Sequence, residues 1–547
     1  MERKTKGKKW TTLEHNGVLF PPPYEPLPKN VKILYRGKPV DLPLSTQNEF
    51  NVSAEEAVVF FAWEIQRAEA DPDKTKIHWV EDEVFVRNFW HDLQKILGPR
   101  SIIQDFNQID FAPVVSYLHR IDQQNKGRSK EEKAEAKRLL EEQERPYKEA
   151  IMDGVSYTVG TYKVQPPALF KGHVSPDGKG GQPLRGRIKG RIKPEQIVLN
   201  GSTVPEEPII GGRWKGIISD QTNTYLATYT QPVTGEPVHT YLSRVISPWV
   251  QESDQGKFDK ARKLGENIEY VRQRYNTDLT SNNPKTRQLA TATYLLDRLA
   301  VRPGADKDEE TESNTVGLTT LKCSHLKFEP ERVIAFNFVG KSSIVFERRV
   351  RMPDVVYNNL LGFCRGKPAN TEVFPAVKDV DLNDYLKQIL PDLTAKVFRT
   401  YKACSILQEK LFENLPDIQA PVYEKKLAYN EAATQAAIAL NHKKTVASSG
   451  KQVEKNKAKL EEAMAELAAA NTDKKRAAAE KKIKLAESKI NEGEMQISTA
   501  TSKTNYSDPR ITVSWAKTTE TPIEQLYTKQ QLSRFVWAMG NESEWRF

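Results

Sequence analysis

Residues 451–500 limit the possible folds more than any other stretch of the chain. Val453, Leu460 and Leu467 recur every seventh residue, and so do Ile483, Ile490 and Ile497. Between the two series lies Asn471-Thr472-Asp473, a turn and N-cap signal, and Ala, Lys and Glu fill most other positions. Each apolar stripe is too narrow to be buried except against its partner, so an antiparallel coiled-coil hairpin is expected over 446–500. A hairpin returns to where it began. The chain therefore leaves a body and comes back to deliver "TSKTNYSDPR", residues 501–510, where polar neighbours surround Tyr506 and Asp508-Pro509 forces a turn. An isolated tyrosine is more often a core residue than a reactive one. The rest of the chain decides which this is.

At 547 residues the chain is long enough for several domains. Its net charge of +10 suits a polyanionic partner. Cys323, Cys364 and Cys404 are odd in number, widely spaced and without a CxxC pair. That argues against a disulfide scaffold or a zinc site and fits a reducing compartment. There is no apolar run near 18 residues and no hydrophobic segment after Met1, so neither a membrane span nor a secretory leader is expected; "MERKTKGKKW" is basic enough for nuclear import.

The opening "LFPPPYEPLPKN" must be extended. "SAEEAVVFFAWEIQRAEA" reads as a helix with a capping box of Ser53 and Glu56, and Ser129 with Glu132 opens a second, highly charged helix that projects into solvent. Residues 166–194 form a Gly-rich basic loop whose Lys171, Lys179, Arg185, Arg187, Lys189 and Arg191 can face phosphates or simply be solvated. "YLATYTQPVTGEPVHTYL" suggests strands around a Pro-Val-Thr-Gly turn. Helices dominate from about 256, one of them stopped by Pro303-Gly304. The acidic "ADKDEETES" after it is a candidate to pair with the basic loop and close a ring. "LKCSHLKF", "VIAFNFVG" and "SSIVFERRV" read as three antiparallel strands with Gly340-Lys341 at a hairpin tip, and "PIEQLYTKQQLSRFVWA" as a final amphipathic helix.

No G-x-x-x-x-G-K-S/T loop, HExxH, Cys/His cluster or EF-hand loop is present, so no cofactor and no metal are expected. What stands out is a set of polar residues in otherwise structural places. Arg302 follows the end of an apolar helix. Lys341 sits at a hairpin tip. Arg399 lies among Val397, Phe398 and Tyr401 and needs an anionic partner. His442 ends the helix "EAATQAAIALNHKK". Taken singly, a capping charge, a solvated turn, a structural ion pair and a helix-terminal histidine are the better explanations.

Together with "KKWTTLEHNGVLFPPPYEPLP", "PPALFKGH", "LLDRLAVRPG", "NTVGLTTLK", "FNFVGKSSI", "LTAKVFRTY" and "SKTNYSDPRITVSW", in that order, these residues make the chain resemble the eukaryotic type IB DNA topoisomerases from about Lys8 onward. The resemblance implies an α+β multidomain fold. It would be a bilobed clamp around DNA with a mainly helical catalytic domain carrying a small antiparallel sheet, plus an antiparallel coiled-coil linker. It implies core subdomain I over 1–25 and 129–243, the cap lobe (subdomain II) over 26–128, catalytic subdomain III over 244–445, the linker over 446–500 and a C-terminal domain over 501–547. The implied activity is relaxation of positive and negative supercoils without ATP or metal, through a 3′-phosphotyrosyl intermediate. Tyr506 would be the nucleophile, Arg302, Arg399 and His442 would stabilise the transition state, and Lys341 would be the general acid. Lys171, His173, Arg185, Arg187, Lys189, Arg191 and Asn505 would bind duplex DNA. A nuclear monomer is implied.

The sequence departs from the family pattern at Lys171-Gly172-His173-Val174, where an arginine-rich stretch is usual, and at Ser342, where an Asp is usual. Both neighbour the cleavage site, so weakened sensitivity to camptothecin-type poisons is expected. Two other readings are a tyrosine recombinase, with a similar Arg/Lys/His/Tyr set, and a non-catalytic DNA clamp. The coiled-coil insertion speaks against the first and the complete five-residue set against the second.

Overall fold

The structure is a computed structural model, and it describes residues 7–71, 78–172, 182–243, 248–304, 315–341, 344–443 and 446–547. His173, Val174, Lys179, Ser342 and the acidic stretch 305–313 lie outside the described residues, so the expected pairing of the acidic and basic loops does too. The described residues divide into two compact units, one ending at Ser243 and one starting at Pro248. Both mix helices with small sheets. No described helix is long and apolar enough to cross a membrane.

In the first unit the proline-rich opening is extended, as its fixed φ angles require. Helix α1 (Ala54–Glu69) starts at Ser53, whose Oγ accepts the Glu56 N–H at 3.0 Å. The reciprocal half of the expected capping box is missing, because the Glu56 carboxylate pairs with Arg191 at 2.7 Å instead. Asp82 caps α2 (Glu83–Leu97), and α3 (Ala112–Gly127) leads to α4 (Lys130–Glu144). The Ser129/Glu132 box on α4 is complete, and the helix is exposed along its length except at Glu144. Phe60, Phe61, Phe85, Phe89 and Phe111 form the aromatic heart of this core, with Phe61 stacked on Phe89 at 4.6 Å. Leu169 and Ile188, on the paired strands Ala168–Leu169 and Ile188–Lys189, pack into it and carry the basic run onto α1 and α2. Tyr225–Thr230 and Pro237–Tyr241 pair antiparallel around the expected turn, where Gln231 Oε1 accepts the Thr234 N–H at 2.7 Å.

The second unit gathers α5 (Pro248–Glu266), α6 (Ile268–Asp278), α7 (Pro284–Leu299), α8 (Asp354–Cys364), α9 (Asp379–Ile389), α10 (Ala395–Glu413) and α11 (Val422–Ala439). A three-stranded antiparallel sheet, Leu326–Glu329, Val333–Gly340 and Ile344–Arg351, completes it. The first strand is shorter than expected, since Cys323–His325 form a 3-10 turn before it. Gly340 pairs with Ile344, which leaves Lys341 exposed at the tip. Helix α7 ends at Leu299, before the expected Pro303-Gly304 stop, because Ala300 turns left-handed at φ 51°.

Helices α12 (Val446–Ala468) and α13 (Asp473–Glu494) pack antiparallel, joined through the cap of Thr472 on the Lys475 N–H. Ion pairs Lys482–Glu466 at 2.6 Å and Lys457–Glu494 at 3.4 Å fix their register. Val453, Leu460 and Leu467 are only half-buried. The fully buried positions are three residues on: Asn456, Ala463 and Ala470, matched on the other helix by Ala479, Ala486, Ile490 and Gly493. Small side chains let the two axes approach closely, so Val453, Leu460, Leu467 and Ile483 lie at the flank of the seam, whereas Ile490 is buried in α13 and Ile497 just beyond it, as their spacing predicts.

Helix α14 (Thr499–Asn505) and α15 (Pro509–Thr518) follow. The expected final helix is not continuous. Ile523–Gln525 and Val536–Ala538 are 3-10 turns around the short α16 (Lys529–Arg534), because Thr528 and Gln531 make a new capping box that restarts the chain.

Candidate active site

Helix α10 carries Arg399 into the core of the second unit, where it is 3% exposed. A buried guanidinium must be bonded on every side it can be. Nη1 donates to the Ala300 carbonyl, which the left-handed end of α7 leaves outside that helix, and Nη2 donates to the Leu440 carbonyl at 3.1 Å. Nη2 also faces His442 Nε2 at 3.3 Å, and Nε has no hydrogen-bond partner among the described residues. The guanidinium carbon lies 5.1 Å from the centre of the Tyr506 ring. Burial lowers the Arg399 pKa to about 10, against the opposing pull of Tyr506.

His442 follows α11 and is 4% exposed. Its ring centre is 5.0 Å from that of Tyr506, and Nδ1 lies 3.2 Å from Ser502 Oγ. With Nε2 accepting from Arg399, the ring proton belongs on Nδ1 and is donated to Ser502. Burial first, then Arg399 and Arg302, hold the His442 pKa down to about 3, so the ring is neutral at ordinary pH.

Tyr506 ends α14, with its N–H on the Ser502 carbonyl at 2.9 Å and its ring among Ala300, Ala403 and Leu440. Burial pushes its pKa up, but Arg399, Arg302 and Lys341 outweigh it, and the net effect is a phenol more acidic than usual. Arg302, Lys341, Arg399 and His442 line one cavity of about 300 Å³ together with Ser498 and Thr501. The five residues singled out by sequence thus meet at one place in the second unit. The cavity presents cations and a neutral imidazole, which suits a doubly negative phosphorus centre, and the acidified phenol packs against two of its lining residues, Arg399 and His442.

The basic run behaves differently from expectation. Lys171 pairs with Glu64 at 2.7 Å, Arg185 with Asp82 at 2.9 Å, Arg187 with Asp92 at 2.8 Å and Arg191 with Glu56 at 2.7 Å. These four cations staple their segment to α1 and α2. Lys189 has no ion-pair partner among the described residues, and burial followed by Lys171 lowers its pKa. Asn505 is exposed directly before Tyr506. Sequence reasoning missed Ser502, Cys404 and Lys503. Ser502 and Lys503 sit inside the quoted "SKTNY" motif, and that position was their only signal. Lys503 Nζ donates to Asn430 Oδ1 at 2.9 Å, and its burial lowers its pKa to about 8.

Fold and cavity define a mixed α/β protein with a cation-lined pocket beside a tyrosine. Residues 8–242 match the family model for the DNA binding fragment of eukaryotic DNA topoisomerase I, residues 246–479 that for its catalytic core, and residues 481–547 that for the C-terminal topoisomerase domain. DNA topoisomerase 1 alpha of Arabidopsis thaliana is 38% identical over 99% of this chain and 60% of its own length. DNA topoisomerase 1 of Caenorhabditis elegans is 34% identical over 99% of this chain and 68% of its own. DNA topoisomerase I, mitochondrial, of Homo sapiens is 33% identical over 99% of this chain and 92% of its own. The chain belongs to the eukaryotic DNA topoisomerase I family. It spans about 60% of the length of the Arabidopsis relatives.

Proposed function

We propose that this chain is a type IB DNA topoisomerase that relaxes positive and negative supercoils without ATP or metal. The observation that supports this most is the acidified Tyr506 phenol held against the Arg399 guanidinium beside a cavity also lined by Arg302, Lys341 and His442. The phenolate oxygen attacks a backbone phosphorus and forms a 3′-phosphotyrosine. The P–O5′ bond breaks, and Lys341 gives the leaving 5′-oxygen its proton. Arg302, Arg399 and His442 bind the non-bridging oxygens of the pentacoordinate transition state. For His442 this requires a change of tautomer. A phosphate oxygen that takes the Arg399 Nη2 hydrogen frees Nε2, and the Ser502 hydroxyl can then turn to donate to Nδ1. Nε2–H becomes the donor to phosphate. One diester replaces another, so the reverse attack by the 5′-hydroxyl reseals the strand with no outside energy, and rotation while the strand is open releases torsion.

In this reading the first unit and the catalytic unit form the two lobes of a clamp on duplex DNA, with subdomains at the boundaries implied by the resemblance. The α12–α13 hairpin is the coiled-coil linker that brakes rotation. Lys171, His173, Arg185, Arg187, Lys189, Arg191 and Asn505 contact the backbone. The protein acts as a monomer in the nucleus. Four of the cations already hold carboxylates, and in this reading they contact phosphate in addition to those ion pairs.

The test is relaxation of positively and negatively supercoiled plasmid in EDTA without ATP, with a denaturing gel for a 3′-linked adduct. The wild type should do both. Tyr506→Phe should bind duplex DNA and do neither; adduct formation by this variant refutes the assignment.

A further inference from the structure

A second group grips the nucleophile from behind. Resting on the transesterification reading of Tyr506, we infer that the Cys404 thiol is a positioning residue that sets the phenol against the Arg399 guanidinium. Its Sγ–H donates to the Tyr506 carbonyl at 3.2 Å, and the same sulfur accepts the Asp508 N–H at 3.3 Å. These two backbone groups flank the turn between α14 and α15. The first lies just past the end of one helix and the second belongs to the N-cap of the next. A thiol suits the task, since one large atom carries both a donor hydrogen and acceptor lone pairs.

The placement on α10 gives the contact its meaning. Arg399, Ala403 and Cys404 are four and five residues apart, on neighbouring faces of one helix. Arg399 stands over the Tyr506 ring, Ala403 packs against the side chain, and Cys404 holds the backbone. A single rigid element therefore holds the nucleophile at three levels and carries the cation that acidifies it. The far side of the turn is fixed separately. The Asp508 carboxylate bonds Arg510 at 2.8 Å, and Asp259 of α5 holds the same guanidinium at 2.7 Å. Cys404 is fully buried, packed with Leu407, Tyr429 and Trp515, so solvent does not compete for its hydrogen bonds. A thiol that served packing alone would not need either bond.

The experiment compares wild type, Cys404→Ser, Cys404→Ala and Cys404→Val in single-turnover cleavage of a duplex oligonucleotide that cannot religate. DNA affinity, melting temperature and the pH–rate profile are measured alongside. Ala and Val remove both bonds. They should slow cleavage roughly 10–100-fold at saturating DNA, as small misplacements of a reacting group do. Affinity should stay within about 3-fold, and the ascending limb of the profile, set by loss of the phenol proton, should move to higher pH as the phenol loses part of the Arg399 field. Ser keeps a donor and an acceptor and should recover cleavage to within about 3-fold of wild type, because its hydroxyl can make both bonds. Wild-type rate and profile in Cys404→Ala overturn the inference. So does an equal loss in Cys404→Ser and Cys404→Ala, which would assign the effect to sulfur's volume. Failure of the wild type to form any Tyr506 adduct overturns the parent reading, and this inference with it.

Discussion

Replacing Arg399 by lysine keeps the charge and removes the fork, which separates the two. In the structure this guanidinium serves the Ala300 carbonyl, the Leu440 carbonyl, His442 Nε2 and the Tyr506 ring at once. A lysine ammonium is a point donor on a flexible stem and cannot span all of these directions. At least one buried carbonyl then loses its partner, at a cost of about 1–3 kcal/mol of stability. The transition state loses a preorganised bidentate donor, which should slow cleavage by roughly 10²–10³-fold, equivalent to about 3–4 kcal/mol. Arg399 is also the leading cation opposing burial at Tyr506, and an ammonium that cannot hold the guanidinium's place over the ring weakens that field despite its charge, so the ascending limb of the pH–rate profile should move to higher pH. Rapid-quench cleavage at saturating DNA reads the rate, and urea unfolding reads the stability. A lysine variant that cleaves within about 3-fold of wild type, with an unmoved profile, would refute the argument that the planar fork matters.

His442 makes the folded protein acid-sensitive. Its pKa is held at about 3 in the fold by burial, Arg399 and Arg302, against 6.5 for an ordinary histidine. As pH falls from 6.5 toward 3, the unfolded chain gains a proton that the native state refuses, so stability drops through that window and is full above it. His442→Gln should lose about 2 kcal/mol less than wild type between pH 7 and pH 5 in urea unfolding. In the helical hairpin, Ala463→Leu forces a large side chain into a seam built for small ones and should destabilise it by about 1–3 kcal/mol, read by thermal melting of the helical signal, with cleavage retained. Camptothecin, at concentrations that trap other family members on DNA, should trap few covalent complexes of this protein. Abundant trapping would mean that Ser342 and the Lys171-Gly172-His173-Val174 stretch do not govern drug binding.

The tyrosine, its two arginines and the lysine are legible because each sits in a long motif, and the histidine because it ends an apolar helix. The hydrogen-bonding that organises them is not. Ser502 and Cys404 reach their partners across 60 and 102 residues, and a sequence does not display such pairings. The basic run shows the same limit. Its cations were visible, but Glu56, Glu64, Asp82 and Asp92 lie in helices folded onto it from far upstream. In the hairpin, the heptad spacing marks Ile490 and Ile497, which are buried, but not Ala463, Ala470, Ala479 and Ala486, because alanine reads as filler when burial is judged by size. The end of α7 was misplaced because Ala300 has no sequence signature for a left-handed turn. The tail was read as one helix because its apolar pattern continues across Thr528, where a local cap wins.

The two ends of the α12–α13 hairpin are stitched together beside His442. Lys443 bridges Ile497, and the Ser498 N–H donates to the His442 carbonyl at 2.9 Å. A helix the length of α13 extends about 33 Å, and it touches the body partway along, where Lys484 meets Glu424 at 3.0 Å. Helix α13 is therefore held at two places, near its middle at Glu424 and, four residues past its end, at the histidine. Any shift of the hairpin that outlasts the Glu424 contact would have to pass through the backbone of His442, whose ring faces Tyr506 at 5.0 Å.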